Sequence, residues 1–331
     1  MAGRRRKKSG RRSYAWRYRG RIVACVFVEV IIICALVIMI GWNKGVKEWF
    51  EQFEQPVLKE VDISGINSPN AILMQARGGK ILGEINGEAQ IYPASMTKIM
   101  TVILGIENFD DLDEKITLTN EMFTGLYEQD ATQAGFQPGE EVRVIDLLYG
   151  AMLPSGAECC IALADTISGS EADFAELMNK KARKLGMENT NFCDSTGLHN
   201  PDHYSTVKDI AVLMKYCIKN DTFREIVETS RHSTGVTNIH PDGITYYSTM
   251  FKNLSDPTVT GGKILGGKTG YTSEAGHCLV SFAEIEGREY IFVSAGASGA
   301  DGNTIPHIQD AVTVYNRVGA AIEEKMNDNN K

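Results

Sequence analysis

Residues 263–295 read KILGGKTGYTSEAGHCLVSFAEIEGREYIFVSA. Two runs rich in β-branched and aromatic residues, 278–285 and 290–295, flank the short segment Glu286-Gly287-Arg288. This pattern predicts two successive antiparallel strands joined by a hairpin. Lys268 precedes them in a glycine-rich stretch, so we expect a further strand there, whose edge a ligand backbone can approach closely.

Helical sequence fills the middle of the chain, and another strand pair is predicted near its beginning. Residues 71–76 and 81–82, on either side of an Arg-Gly-Gly-Lys turn, predict a first β-hairpin. Apolar spacing predicts helices over residues 142–152, 158–166, 172–185, 207–217, 222–228 and 308–326. Strands at both ends of the chain with helices between them predict an α+β fold, in which distant segments complete one sheet.

Ser95-Met96-Thr97-Lys98 places a hydroxyl and an amine three residues apart. The two side chains share one face of a helix, because residues i and i+3 are neighbours on it. An apolar run with helical spacing continues to Ile106. A serine hydroxyl is a weak nucleophile until a base takes its proton, and a lysine whose pKa is lowered can be that base. The motif therefore predicts Ser95 as nucleophile and Lys98 as base at the start of a packed helix.

Ser-x-x-Lys alone is a weak signal, since about one chance match is expected in a few hundred residues. This chain contains a second copy, from Ser205 to Lys208. The second copy follows a polar loop, and we interpret Ser205 as the N-cap of the helix that runs through Tyr216, or as a loop residue.

Lys268-Thr269-Gly270 follows Ser95 at a distance of about 170 residues. By composition this triplet is much rarer than Ser-x-x-Lys. The two motifs in this order are a pair that active-site serine acyl-transferases use. A second cation near Lys98 would favour its neutral form, and it would also attract an anionic substrate.

A third element lies between these motifs, at Ser155-Gly156-Ala157. It resembles a Ser-x-Asn loop in which Ala157 occupies the asparagine position. An asparagine would offer a carboxamide to the substrate and to the catalytic lysine, and alanine offers neither donor nor acceptor. We predict Ser155 as a site residue, with a role as helix cap as the alternative, and we expect substrate anchoring to be altered.

The stretch from Ile66 to Val318 resembles the D-alanyl-D-alanine carboxypeptidases, which are low-molecular-weight penicillin-binding proteins of peptidase type S11. The three motifs carry the resemblance, together with the segment from Leu177 to Thr206. The family implies a fold like that of β-lactamases and DD-peptidases. This fold has an antiparallel sheet flanked by helices and a helical subdomain, with the site between them.

The resemblance also implies the chemical steps. Lys98 would accept the proton of Ser95, which attacks the carbonyl of the penultimate D-Ala, and Ser155 would relay the proton to the leaving D-Ala. Backbone N–H groups of Ser95 and Tyr271 would hold the oxyanion, and water would then release the acyl group.

The glycine-rich strand is implied to bind the substrate. Lys268, with the hydroxyls of Thr269 and Thr272, would hold its terminal carboxylate, and Gly270 and Tyr271 complete the binding strand. The implied partners are peptidoglycan stem peptides ending in D-Ala-D-Ala and β-lactam antibiotics. No cofactor and no metal site are expected.

Two alternatives remain open. A class A β-lactamase would add a deacylating glutamate spaced Glu-x-x-x-Asn. The nearest candidate, Glu176 with Asn179, has the wrong spacing and falls in a predicted helix. A binder or β-lactam sensor with little turnover is compatible with Ala157, but a sensor needs an output domain, and residues 1–21 contain none.

Charge is distributed very unevenly along the chain. Residues 1–21 hold ten of the 34 Lys and Arg residues and no acid, so residues 22–331 combine 24 bases with 42 acids. Residues 22–42 are almost all apolar and as a helix would span about 30 Å, the thickness of the bilayer hydrocarbon. The positive-inside rule then predicts a single-pass protein of a bacterial cell membrane, with a cytoplasmic tail (1–21) and a transmembrane signal-anchor (22–42).

A cleaved signal peptide is the alternative, but no small-residue cleavage site follows the apolar run. The basic tail is expected to face lipid headgroups, not nucleic acid. We divide the extracytoplasmic part into a juxtamembrane tether (43–65), a catalytic domain (66–320) and a polar tail (321–331).

Five of the seven cysteines follow the apolar segment. An odd number leaves at least one thiol free or paired with another chain. Cys159 and Cys160 continue an apolar helix, where cysteine behaves as a small hydrophobic residue.

Overall fold

The computed structural model describes residues 58–254, 256–299 and 305–329. Among these residues, no helix combines the length and the apolar character needed to cross a bilayer. The predicted tail (1–21) and transmembrane segment (22–42) lie outside the described residues and stay predictions.

One six-stranded antiparallel sheet forms the centre of the fold. The strands in the described residues are β1 (Asn70–Gln75), β2 (Ile81–Ile85), β3 (Lys115–Thr117), β4 (Glu141–Arg143), β5 (Arg231–Ser233), β6 (Thr245–Tyr247), β7 (Thr258–Val259), β8 (Gly262–Thr272), β9 (Gly276–Ile285) and β10 (Arg288–Ala297). The central sheet has the order β2-β1-β10-β9-β8-β7, so the first strand pair lies directly beside the last strand. The predicted α+β fold, with a sheet completed by distant segments, is confirmed.

Helices cover both faces of this sheet. They are α1 (Lys98–Asn108), α2 (Val144–Met152), α3 (Ala157–Ser168), α4 (Glu171–Leu185), α5 (Val207–Cys217), α6 (Asp221–Glu228), α7 (Thr249–Asn253) and α8 (Pro306–Asn329). Side chains alternate along β9, as a pleated strand requires. Val280 and Phe282 belong to the core shared with α1 to α6, whereas Leu279 and Ile285 belong to the core shared with α8.

The structure corrects the interpretation of Ser205 as a helix cap. The N-cap of α5 is Thr206, whose hydroxyl accepts a hydrogen bond from the backbone N–H of Asp209 at 3.0 Å. Ser205 cannot take this place, because its backbone pairs with Ile91 and its hydroxyl lies 2.8 Å from Thr190 Oγ1.

Two predicted domain boundaries differ from the structure. Val61 and Ile63, assigned to the tether, are buried against the sheet, and the Val61 N–H donates to the Leu82 carbonyl at 2.7 Å. The packed domain therefore includes residues from 58 onwards. At the other end, α8 continues to Asn329 with Ile322 buried, so the boundary at residue 320 falls inside a helix. In both segments the few apolar side chains of the described residues face the core.

Candidate active site

Ser95 lies in a tight turn that leads into α1. A short 3-10 helix spans Ala94–Thr97, and Ala94 adopts a φ of +47°, which is unusual for a residue with a Cβ. Lys98 is only 3% exposed, and its Nζ lies 3.2 Å from Ser95 Oγ. The contact predicted from the three-residue spacing is present, at the N-terminal end of a buried helix.

Ser155 lies in the turn between α2 and α3, and its side chain contacts Ser95. Its Oγ lies 3.0 Å from Ser95 Oγ, and its backbone has a φ of +73°. Strained backbone of this kind persists only where the surrounding structure imposes it, and it clusters at functional sites. The N-cap of α3 is Gly156, so the alternative role of Ser155 as helix cap is wrong.

Lys268 on β8 is 1% exposed, and its Nζ donates to the Thr269 carbonyl at 3.0 Å. Burial lowers the pKa of Lys268 well below its ordinary value, and the charge of Lys98 lowers it further. A carboxylate bound beside Lys268 would supply the missing counter-charge. Lys268 is therefore suited to hold an anionic group, although its charge is disfavoured while no anion is present.

Strand β8 passes so close to the Ser95 turn that only glycine fits at position 270. A Cβ on Gly270 would lie 2.9 Å from the Ser95 backbone nitrogen and 3.1 Å from the Ala94 Cβ. The strand edge and the Ser95 N–H are thus adjacent, as an oxyanion site built from both would require.

The two residues that follow Gly270 lie at the end of strand β8. Tyr271 is 62% exposed, and its ring lies 4.7 Å from that of His277 on β9. The Thr272 hydroxyl accepts a hydrogen bond from the Ala275 N–H at 3.0 Å, and Thr272 lies near Tyr92. The structure therefore brings the motif residues from 268 to 272 to one edge of the sheet.

Thr269 has a partner that sequence reasoning missed. Its Oγ1 lies 2.7 Å from Thr249 Oγ1, and the Thr249 N–H donates to the Leu153 carbonyl two residues before Ser155. The Thr249 hydroxyl thus adjoins both Thr269 and the Ser155 turn. A lone threonine at a helix start carries no motif, so only the folded contact identifies it.

Ala157 is buried in the first turn of α3, and its N–H donates to the Thr132 carbonyl at 2.8 Å. The adjacent Glu158 carboxylate is turned towards another loop, where Oε1 accepts from the N–H groups of Ala134 and Gly135 at 2.7 and 3.0 Å. Burial raises the pKa of Glu158. The asparagine position is therefore occupied by alanine within a packed and hydrogen-bonded loop.

A second group missed from the sequence is the backbone carbonyl of Thr196. It accepts from Lys98 Nζ at 2.7 Å, a shorter contact than the one between Lys98 and Ser95. A carbonyl oxygen can be supplied by any residue, so no sequence pattern points to it.

The five cysteines in the described residues are free thiols. Cys160 lies near the two site lysines, and burial raises its pKa to about 12, against the opposing effect of Lys98. A neutral thiol adds no charge to the site, and Cys160 packs in the core beside it.

The fold and the site together define a class of protein: an α+β protein in which a serine hydroxyl lies beside a buried lysine and a second serine, next to a lysine on a sheet edge. Comparison with known families agrees with this class. The sequence profile of the D-alanyl-D-alanine carboxypeptidases, peptidase family S11, matches residues 57–299, and the chain belongs to this family.

Curated relatives show the same relationship. D-alanyl-D-alanine carboxypeptidase DacF of Bacillus subtilis (strain 168) is 35% identical over 233 residues, which cover 69% of this chain and 57% of the relative. DacC of Escherichia coli (strain K12) is 33% identical over 262 residues, or 72% of this chain and 58% of that protein. The chain thus spans little more than half the length of these two relatives.

Solved structures of similar length also match. The crystal structure of the Streptomyces K15 DD-transpeptidase superposes with a TM-score of 0.69 at 28% identity, covering 79% of this chain and 100% of that one. A Mycobacterium tuberculosis D-alanyl-D-alanine carboxypeptidase superposes with a TM-score of 0.69 at 21% identity, which supports the fold alone.

Proposed function

We propose that this chain is a serine D-Ala-D-Ala carboxypeptidase that removes the terminal D-Ala from peptidoglycan stem peptides, and that β-lactams acylate the same serine. One observation carries the proposal. Ser95 Oγ lies 3.2 Å from Lys98 Nζ and 3.0 Å from Ser155 Oγ, beside the strand that bears Lys268. A hydroxyl between an amine and a second hydroxyl has both a base and a proton relay within reach.

In the proposed reaction, neutral Lys98 takes the Ser95 proton as Oγ attacks the penultimate D-Ala carbonyl. Backbone N–H groups at Ser95 and Tyr271 stabilise the tetrahedral oxyanion, and such a donor typically contributes about 2.7–4 kcal/mol. Ser155 passes a proton to the leaving nitrogen, so the C–N bond breaks and D-Ala departs. Water then attacks the ester carbonyl, the bond to Ser95 Oγ breaks, and the shortened peptide leaves with a free carboxylate while the Ser95 hydroxyl is restored.

The substrate carboxylate is assigned to Lys268 with the hydroxyls of Thr269 and Thr272. Lys268 is buried, so a bound carboxylate would meet a charge that water screens little. Thr249 supports this end of the site, because its hydroxyl lies 2.7 Å from that of Thr269. A free terminal carboxylate is therefore the expected feature of the substrate.

The β-lactamase alternative gains no support from Glu176 and Asn179. Glu176 is exposed on α4, and the Asn179 side chain is bound to the backbone of Phe192 at 2.7 and 2.8 Å. We therefore expect the penicilloyl ester on Ser95 to be released slowly.

Release of D-Ala from a peptide ending in D-Ala-D-Ala tests the proposal. Wild-type protein should release D-Ala with turnover, and Ser95→Ala should release none. Covalent labelling by penicillin without D-Ala release would instead favour a binder with little turnover. Rapid loss of the label would favour a β-lactamase, and peptide joined to an added amine would reveal transpeptidation.

We further propose that residues 22–42 anchor the protein in a bacterial cell membrane, with the N-terminus cytoplasmic and the catalytic domain outside. The support is the apolar run that follows ten Lys and Arg residues in 1–21. Full-length protein should stay with membranes after carbonate washing, and protein lacking residues 1–42 should not. Release of the full chain by carbonate would contradict the anchor.

A further inference from the structure

A buried chain of polar contacts lies directly behind the proposed catalytic lysine. It begins at Thr97, which precedes Lys98, and its Oγ1 lies 2.9 Å from Nε2 of His203. His203 is 2% exposed, and its Nδ1 lies 3.1 Å from Asp194 Oδ2. The sequence motifs predict no role for the side chains of Thr97, Asp194 and His203.

Asp194 organises the segment that forms the wall beside Lys98. Its Oδ1 accepts from the Thr196 N–H and hydroxyl at 2.8 and 2.7 Å and from the Gly197 N–H at 2.7 Å. The carbonyl of the same Thr196 accepts from Lys98 Nζ at 2.7 Å. The Asp194 carboxylate therefore fixes the orientation of the peptide that binds the lysine.

The same segment presses against the turn that bears Ser95. A Cβ on Gly197, which has a φ of +81°, would lie 1.9 Å from the Ala94 carbonyl oxygen. The Ser195 carbonyl accepts from the Thr101 hydroxyl at 2.6 Å, one turn further along α1. The segment 194–197 therefore contacts the segment 94–101 at several points. The contact between His203 Nε2 and Thr97 Oγ1 adds one more.

We propose that Asp194 and His203 are positioning residues for Lys98. Together with Thr97 they fix the Thr196 carbonyl relative to the turn that bears Ser95. The proton transfer from Ser95 to Lys98 therefore depends on them. The proposal rests on the proposed function. Neither side chain contacts the reacting atoms in the described structure, so both act through the backbone they fix.

The protonation of His203 follows from its neighbours. Nδ1 lies within hydrogen-bonding distance of both Asp194 Oδ2 and the Cys193 N–H, but one nitrogen cannot donate and accept together. Burial acts to raise the pKa of Asp194, but the hydrogen bond from His203 and the donors of Thr196 and Gly197 hold it at about 2. Since a carboxylate oxygen can only accept, we assign Nδ1 as the donor to Asp194 Oδ2, and Nε2 lies 2.9 Å from the Thr97 hydroxyl.

Asp194→Asn is the sharpest test, because asparagine keeps the carbonyl that accepts from residues 196 and 197. Its amide must donate to His203 Nδ1, which moves the ring proton to Nε2. In the Ser-His-Asp triad the same substitution selects the wrong tautomer. Histidine ¹⁵N NMR should detect the change directly, independently of any activity.

We expect Asp194→Asn and His203→Gln to acylate with a fluorescent penicillin about 10- to 100-fold more slowly, because small displacements of reacting groups cost this much. The pH profile of acylation should also change, because the Thr196 carbonyl that accepts from Lys98 Nζ would no longer be held in place. Thr97→Val should show the same change, and Thr97→Ser, which keeps the hydroxyl, should not.

His232→Gln is the matched control. His232 also pairs with a buried aspartate, its Nε2 lying 2.9 Å from Asp146 Oδ1. That pair lies outside the Lys98 network, so this variant should acylate like wild type.

The results separate three cases. Wild-type rates in the Asp194 and His203 variants, or slower rates with an unchanged pH profile, would overturn the positioning role. If penicillin did not acylate the wild-type protein, the proposed function itself would fail. If the wild type acylates and the three variants shift its pH profile while His232→Gln does not, the positioning role is supported.

Discussion

Lys268→Gln should reduce activity on peptides that end in a free carboxylate far more than activity on the corresponding amides. Glutamine keeps a hydrogen-bond donor but removes the charge. A charge-assisted hydrogen bond contributes about 1.5–3 kcal/mol, and each 1.4 kcal/mol corresponds to about tenfold in rate or affinity. Since Lys268 is 1% exposed, water screens the interaction little, and the expected loss on the free acid is about 10- to 100-fold.

The structure adds a second effect, because the charges of Lys268 and Lys98 act on each other. Removing Lys268 therefore changes proton transfer from Ser95 for every substrate. This loss should be the same for the free acid and for the amide. The contribution of the carboxylate is therefore the change in the ratio of kcat/KM on the acid to kcat/KM on the amide. Steady-state kcat/KM on a D-Ala-D-Ala peptide and on its C-terminal amide gives that ratio.

Lys263→Gln supplies the control, since Lys263 is an exposed lysine on the same strand β8. It should leave the ratio unchanged. The pH dependence follows from the lowered pKa of Lys268. The charged form is lost as pH rises through that pKa, so the preference for the free acid should fade at a pH below the ordinary range of lysine titration. An equal loss on acid and amide in Lys268→Gln would refute the carboxylate role.

Three further predictions concern the same site. Lys98→Ala should abolish penicillin acylation as completely as Ser95→Ala in a gel-labelling assay, because a serine without its base loses several orders of magnitude in rate; near wild-type labelling would exclude Lys98 as the base. Ala157→Asn should lower D-Ala release, because Ala157 is buried and its N–H is bound to Thr132, and overpacking typically costs about 1–3 kcal/mol. A clear gain in turnover would show that the loop still accepts asparagine. Lys268→Met should raise the melting temperature at neutral pH, by about 2–4 °C per kcal/mol, because folding no longer has to bury an ammonium group or remove its proton; a lower melting temperature in calorimetry would argue against that cost.

Local patterns predicted the elements that have strong periodicity. The hairpin of β9 and β10 and the bounds of α5 follow from runs of apolar residues whose spacing fixes one buried face. The strands β5 and β6 were not predicted, because three residues are too few to show a periodic pattern; they pair with each other in a small separate sheet. The buried start of the domain at Val61 was not predicted either, because its partner is the carbonyl of Leu82 on β2.

The contacts of the site also fall into those that the sequence predicted and those that it did not. The contact of Ser95 with Lys98 was predictable from a spacing of three residues, and the nearness of Lys268 from the family resemblance. The Thr196 carbonyl and His203 lie in a segment that carries the family resemblance, but their contacts were not predictable, because their partners lie about a hundred residues away in the chain. The fold alone brings such groups together, so the sequence predicted the proposed reacting groups but not the contacts that hold them in place.

The central claim is that Ser95 is the nucleophile. Peptide mapping by mass spectrometry after incubation with penicillin tests it most directly. A single penicilloyl adduct on the peptide containing Ser95, and no adduct in Ser95→Ala, is the result we predict. An adduct on another residue, or labelling that persists in Ser95→Ala, would contradict the claim.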